Sequence, residues 1–158
     1  MDICASIEVS ISLVSSTLLA DQPLELLVSV RNTADYDVTL LKWGSPLDPR
    51  AGVLGIFGAR DKAAKDGVIF GDVVRFSRMM PPSRDDLVEI GSKDQVETRV
   101  NLSNMPLLSG REYEVEATGM WKGVWKSSLA NITGAMLEDF EGASTGEYAS
   151  NRVAVMKL

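Results

Sequence analysis

Apolar and polar residues alternate along much of this chain, most clearly between Leu24 and Asp48, LELLVSVRNTADYDVTLLKWGSPLD. Leu24, Leu26, Val28 and Val30 share one face of an extended run, with Glu25, Ser29 and Arg31 on the other. A period of two marks a half-buried strand, because successive side chains point to opposite faces of a sheet. Asn32-Thr33-Ala34-Asp35 supplies turn chemistry, and Tyr36, Val38 and Leu40 then resume the alternation before a Gly-Ser-Pro break at Gly44. Leu27 interrupts the order, so a bulge that shifts the parity by one is a second reading of this run.

The same pattern recurs from end to end. Ile7, Val9, Ile11 and Leu13 face one way, with Glu8, Ser10 and Ser12 facing the other. Val53 to Phe57 is a continuous apolar run, the mark of a fully buried strand. Gly67 to Phe76 predicts one or two short strands bent at Gly71. Alternation returns in Asp94 to Leu102 and in Glu112 to Thr118, and Val153 to Met156 is a last short strand. Seven to nine short strands with turns between them predict one domain, residues 1–158: an all-β, antiparallel, immunoglobulin-like β-sandwich. Its expected core is Ile7, Val9, Ile11, Leu26, Val28, Val30, Val38, Leu40, Val100, Tyr113, Val115, Val153 and Val155.

Three segments resist the pattern. Asp61 to Asp66 is too short for a stable helix and is read as a hairpin loop. Ser83 to Glu89 suits one helical turn, with Ser83 as N-cap and Asp85 and Asp86 in the first turn. Ser127 to Gly146 is polar, with one apolar cluster at Met136, Leu137 and Phe140.

Charge narrows the function classes. A net charge of −6 with scattered Lys and Arg argues against a nucleic-acid partner, which needs clustered cations. No apolar run approaches the roughly 18 residues of a membrane span, so no membrane partner is expected. The first residues carry no basic region and read as the start of a strand, so the chain as it stands reads as cytoplasmic, or as secreted if a leader has been removed. The single cysteine, Cys4, excludes an internal disulfide.

Candidate chemistry is defined mostly by what is missing. There is no histidine, which removes Ser-His-Asp and Cys-His catalysis and most catalytic zinc sites. Cys4 shows no neighbour that would activate it and reads as an inert thiol. Gly52, Gly55 and Gly58 are spaced by three, but no helix follows to present its N-terminus to a phosphate. Two acidic groups remain, Asp85, Asp86 and Glu89, and Glu138, Asp139 and Glu141. Neither has an apolar setting to raise a carboxyl pKa nor the spacing of a calcium loop, and both read as solvated faces. No catalytic residue, metal or cofactor is expected.

Recognition is the better prospect. Trp121 and Trp125 are four apart, which on a regular strand puts them on one face. Facing outward they form an apolar platform rimmed by Lys122 and Lys126; facing inward they are core. Met79-Met80-Pro81-Pro82 is a second candidate contact, flexible apolar side chains ahead of a stiff step, or else a loop that plugs one end of the sandwich.

Val30 to Asp48 resembles the "V-x-N-T-G-x-x-D-x-x-L-L-K-x-x-T-P-L-D" line of the N-terminal pro-region of deuterolysin-type (fungal aspzincin) metalloendopeptidases. Gly67-Val68 and Val74-Arg75-Phe76, Leu87 to Ile90, Val96 to Leu102, Leu108 to Val115 and Ser150 to Val155 are similar to its later pieces, in the same order. Ser45 stands where that pattern prefers Thr and Ala34 where it prefers Gly, and no protease domain with zinc-binding histidines follows. The resemblance implies a non-catalytic sandwich whose partner is a protein, such as an aspzincin metalloendopeptidase that it inhibits or helps to fold. The competing reading is a lectin-like or effector-type module with another protein or a glycan as ligand. Both would use Trp121, Trp125, Lys122 and Lys126, or Met79, Met80, Pro81 and Pro82.

Overall fold

The run from Leu24 to Val30 becomes β3 (Glu25–Asn32), and its inward side chains are almost completely shielded from solvent. No bulge shifts it: Leu27 faces outward in an unbroken register. A computed structural model describes residues 2–64 and 67–158. In it β3 lies between β1 (Ile7–Leu13) and β7 (Gln95–Asn101), both antiparallel to it, with Val9 opposite Val30 and Val30 opposite Val96.

The second sheet is organised by one long strand, β8 (Arg111–Trp125). Along its first half β8 pairs with β5 (Phe57–Asp61) on one side and β10 (Val153–Lys157) on the other. Along its second half it pairs with β4 (Val38–Leu41) and β9 (Ser144–Ala149), and β6 (Leu87–Ile90) continues the sheet beyond β4. β2 (Thr17–Leu18) lies parallel to β10, the one departure from antiparallel pairing among the described residues. With 41% strand and 12% helix, the molecule is the expected all-β sandwich of two sheets, with ten strands among the described residues. Twelve of the thirteen expected core residues are buried, and Val153 is half-buried.

Two asparagines join the sheets. Asn32, buried at the end of β3, donates through Nδ2 to the carbonyls of Tyr36 and Ile90 (2.8 and 3.0 Å) and accepts from the Ala34 N–H. Asn151, in the break between β9 and β10, bonds both the N–H and the C=O of Ile11 at the edge of β1 (2.8 and 2.9 Å). Asn32, a buried amide satisfied through both its oxygen and its nitrogen, aligns what it touches, since leaving either group unpaired costs about 1–3 kcal/mol.

Two expected strands are absent. Val53 to Phe57 is a strand only from Phe57: residues Ala51–Val53 form a 3-10 turn, and Gly55, with φ of 75°, takes the backbone out of extended conformation. Gly67 to Phe76 forms one isolated bridge, Ile69 with Ala59, and no strand. It crosses the outer face of β5 instead, which is possible because a Cβ on Gly58 would run into the Val68 side chain and lie 3.1 Å from Phe70. Of the Asp61 to Asp66 loop, Asp61 closes β5, and Lys65 and Asp66 lie outside the described residues.

Candidate functional site

The tryptophans are not a surface platform. Trp121 and Trp125 are each 1% exposed. A bulge in β8 between Trp121 and Val124, opposite Gly146 and Ser144 of β9, breaks the regular alternation that the spacing argument required. Trp121 therefore joins the main core against Tyr148, ring centroids 4.6 Å apart, while Trp125 joins a second cluster on the opposite face of the sheet. That second cluster is a sealed cover. Leu41, Trp43, Leu87 and Trp125 meet Ile132 and Leu137 from the segment that follows β8, where α1 (Gly134–Asp139) is capped by Thr133. The Trp125 indole N–H donates to the Glu141 carbonyl at 3.0 Å, and Arg84 donates to the carbonyls of Leu129 and Ile132. Lys122 and Lys126 are exposed, but Lys126 lies over the Tyr36 ring (4.3 Å) and away from any tryptophan platform.

Two members of the first acidic group serve local structure. Asp86 accepts from the N–H and hydroxyl of Ser83 and closes the 3-10 turn Arg84–Asp86. Partial burial works to raise its pKa, but bonds from Ser83 and the Trp43 indole, with the charge of Arg78, outweigh burial and hold the carboxyl below its ordinary value. Glu89 accepts from the Leu129 N–H. Burial, with the charge of Asp2 and a bond to it, pushes the Cys4 thiol up to about 11, so it stays protonated at neutral pH.

The other half of the outer face of β8 is open. Residues 67–78 lie over it as a roof without strand or helix, leaving a cleft of about 480 Å³ between Val73, Val74, Arg75, Phe76 and Arg78 above and Thr118, Met120 and Lys122 of β8 below. Val73 is 56% and Met120 50% exposed. Arg78 anchors the roof through a 2.6 Å ion pair with Asp48, whose buried carboxylate also accepts from the backbone N–H groups of Gly44 and Arg50. Arg50 in turn lies over the Phe76 ring, 4.0 Å from its centroid. Arg75 and Lys122 make no ion pair among the described residues, and no carboxylate lines the cleft. The chain follows directly into Met79 and Met80, 87% and 55% exposed, while Pro82 is buried.

A family model described as an immunoglobulin-like domain matches residues 7–157. The chain belongs to that family. This immunoglobulin-like domain is 38% identical over 157 residues to an uncharacterized secreted protein of Arthroderma benhamiae, covering 97% of this chain and 79% of that one. A solved structure, Northeast Structural Genomics Consortium target SoR45, aligns with 96% of this chain and 87% of its own at 11% identity and a TM-score of 0.40, too low to carry a conclusion. The descriptions of the family and of the relative make no reference to a protease pro-region.

Of the immunoglobulin-like domain's expected contact residues, the structure leaves Met79, Met80, Pro81, Lys122 and Lys126 at the surface and puts Trp121, Trp125 and Pro82 inside. Sequence reasoning missed Val73, Phe76 and Met120 as cleft residues. One signal was present: Val73-Val74-Arg75-Phe76 is apolar enough for a strand, yet offers no alternation that would bury it on one side.

Proposed function

We propose that this immunoglobulin-like domain is a non-catalytic recognition module that works outside the cell and binds a segment of a protein partner in the cleft beneath residues 67–78. The observation that carries the reading is the cleft itself, with apolar walls at Val73, Phe76 and Met120 and a cationic rim at Arg75 and Lys122 on a chain of net charge −6. Such a rim favours an apolar anchor flanked by carboxylates. The extracellular setting is supported by the Arthroderma benhamiae relative, a secreted protein, whereas the cytoplasmic expectation has no such support. Burial of both tryptophans removes the aromatic platform that either a protein or a glycan partner would have used.

Selection of displayed peptides on the folded protein tests the reading. Expected winners carry an aromatic or aliphatic residue beside Asp or Glu, and lose binding to Met120→Asp or Arg75→Glu but not to Leu27→Asp on the other sheet. Winners indifferent to both cleft variants would overturn it. A purified deuterolysin-type metalloendopeptidase, the partner suggested by the sequence resemblance, is assayed alongside for inhibition, and a glycan array covers the remaining ligand class.

A further inference from the structure

The chain has five asparagines, and their side-chain nitrogens divide into two groups. Asn32, Asn104 and Asn151 each donate through Nδ2 to a backbone carbonyl, those of Tyr36, Asp72 and Ile11 among them. Asn101 and Asn131 donate to nothing among the described residues: Asn101 only accepts, through Oδ1, from the Ser103 N–H at 2.8 Å. These two begin Asn101-Leu102-Ser103 and Asn131-Ile132-Thr133, the asparagine-x-serine/threonine pattern of an N-glycan acceptor; the other three asparagines do not. Each triplet alternates exposed, buried, exposed. Leu102 and Ile132 are 2% and 1% exposed and pin the triplet to a core, which turns the asparagine and the hydroxyl residue to solvent. Asn101 ends β7, and Asn131 ends the 3-10 turn Leu129–Asn131.

We propose that Asn101 and Asn131 are N-glycosylation sites. The co-reactant is a lipid-diphosphate-linked oligosaccharide. Nδ2 bonds to the anomeric carbon, the bond from that carbon to the diphosphate oxygen breaks, lipid diphosphate leaves, and the amide gives up one proton. The fold accommodates the product, because the modified nitrogen carries no structural bond and Oδ1 of Asn101 keeps its own. Neither residue lines the cleft, so the glycans leave it open.

This inference rests on the extracellular reading, and the two are tested apart. The full chain is secreted from a fungal host behind a leader, then treated with peptide-N-glycosidase in heavy-oxygen water and mapped by mass spectrometry. Labelled aspartate at both positions is expected. Asn101→Gln and Asn131→Gln should each lose one glycan on a gel and the double variant both, while Ser103→Ala should reproduce the first loss with the asparagine intact. Secreted, folded protein with either position unmodified overturns the claim for that position. Separately, a tag on the chromosomal copy locates the natural protein: confinement to the cytosol overturns the extracellular reading, whatever the leader-directed protein shows.

Discussion

The outer face of β8 is covered twice, in two different ways. At the Trp125 end, a capped helix and a tight turn close over Leu41, Trp43 and Trp125, with the cover's backbone carbonyls bonded by Arg84 and the Trp125 indole. Over the rest of that face, residues 67–78 are held by the Ile69–Ala59 bridge, the bonds Val74 N–H to the Val53 carbonyl and Asn104 to the Asp72 carbonyl, and the Arg78–Asp48 ion pair, while apolar side chains stay in contact with water. Both covers are about as apolar in sequence. What separates them is closure of the apolar surface: the first cover buries Leu41, Trp43 and Trp125, and the second leaves a cleft whose walls and rim are open. A sealed cover contributes stability, and an open one is available to a partner.

Four substitutions sharpen or break this contrast. Trp125→Ala should cost about 3–5 kcal/mol in urea denaturation, the usual penalty for emptying a buried aromatic site. The folded fraction should still bind a cleft peptide normally; selective loss of binding without loss of stability would reverse the roles assigned to the two halves. Arg78→Ala strands the buried Asp48 carboxylate and should cost about 3 kcal/mol, the low end for breaking a buried pair because Arg78 is partly solvated. Limited proteolysis between residues 67 and 78 should accelerate in the same variant, whereas Trp125→Ala should leave that segment's cleavage rate alone. Val73→Asp should leave stability within about 0.5 kcal/mol, as exposed changes generally do. It should nonetheless weaken an acidic peptide about tenfold, some 1.4 kcal/mol.

The smallest effect is pH-dependent. The Asp86 carboxyl is held below its ordinary value of 3.8, so its contribution is present above that value and disappears as pH falls through the lower, folded-state value. Asp86→Asn should therefore flatten the acid limb of the stability curve while slightly lowering the neutral plateau. An unchanged limb would mean that Asp86 does not hold its turn in solution.

The core was readable in the chain because most of its strands bury one face: Ile7, Val9 and Ile11, or Val28 and Val30, had to face the same way whatever their partners. The second cover was not readable for the converse reason. β4 is buried on both faces, so Leu41 and Trp43 match no period-two pattern, and the β8 bulge altered the face that an even spacing assigned to Trp125. Asn32, Asp48, Ser150 and Asn151 are hydrogen-bonded groups that stitch loops and sheets together. Motifs built on such residues report on architecture and say little about ligand. The course of the roof was invisible because its first part rests on Gly58 admitting Val68 and Phe70 over the sheet, a juxtaposition of residues ten and twelve apart that no local pattern encodes.

The long central strand also sets an order of events during synthesis. β8 takes neighbours from both directions along the chain, β4 and β5 made before it and β9 and β10 made after. While residues 126–158 are still inside the ribosome and its exit tunnel, one whole side of β8 has no partner available, and its N–H and C=O groups face water or other nascent chains. Pairings so distant in sequence also form slowly once they can form, typically over milliseconds to seconds. The domain therefore passes through a stage in which its most connected strand is its most vulnerable one, and assistance from chaperones is most valuable then.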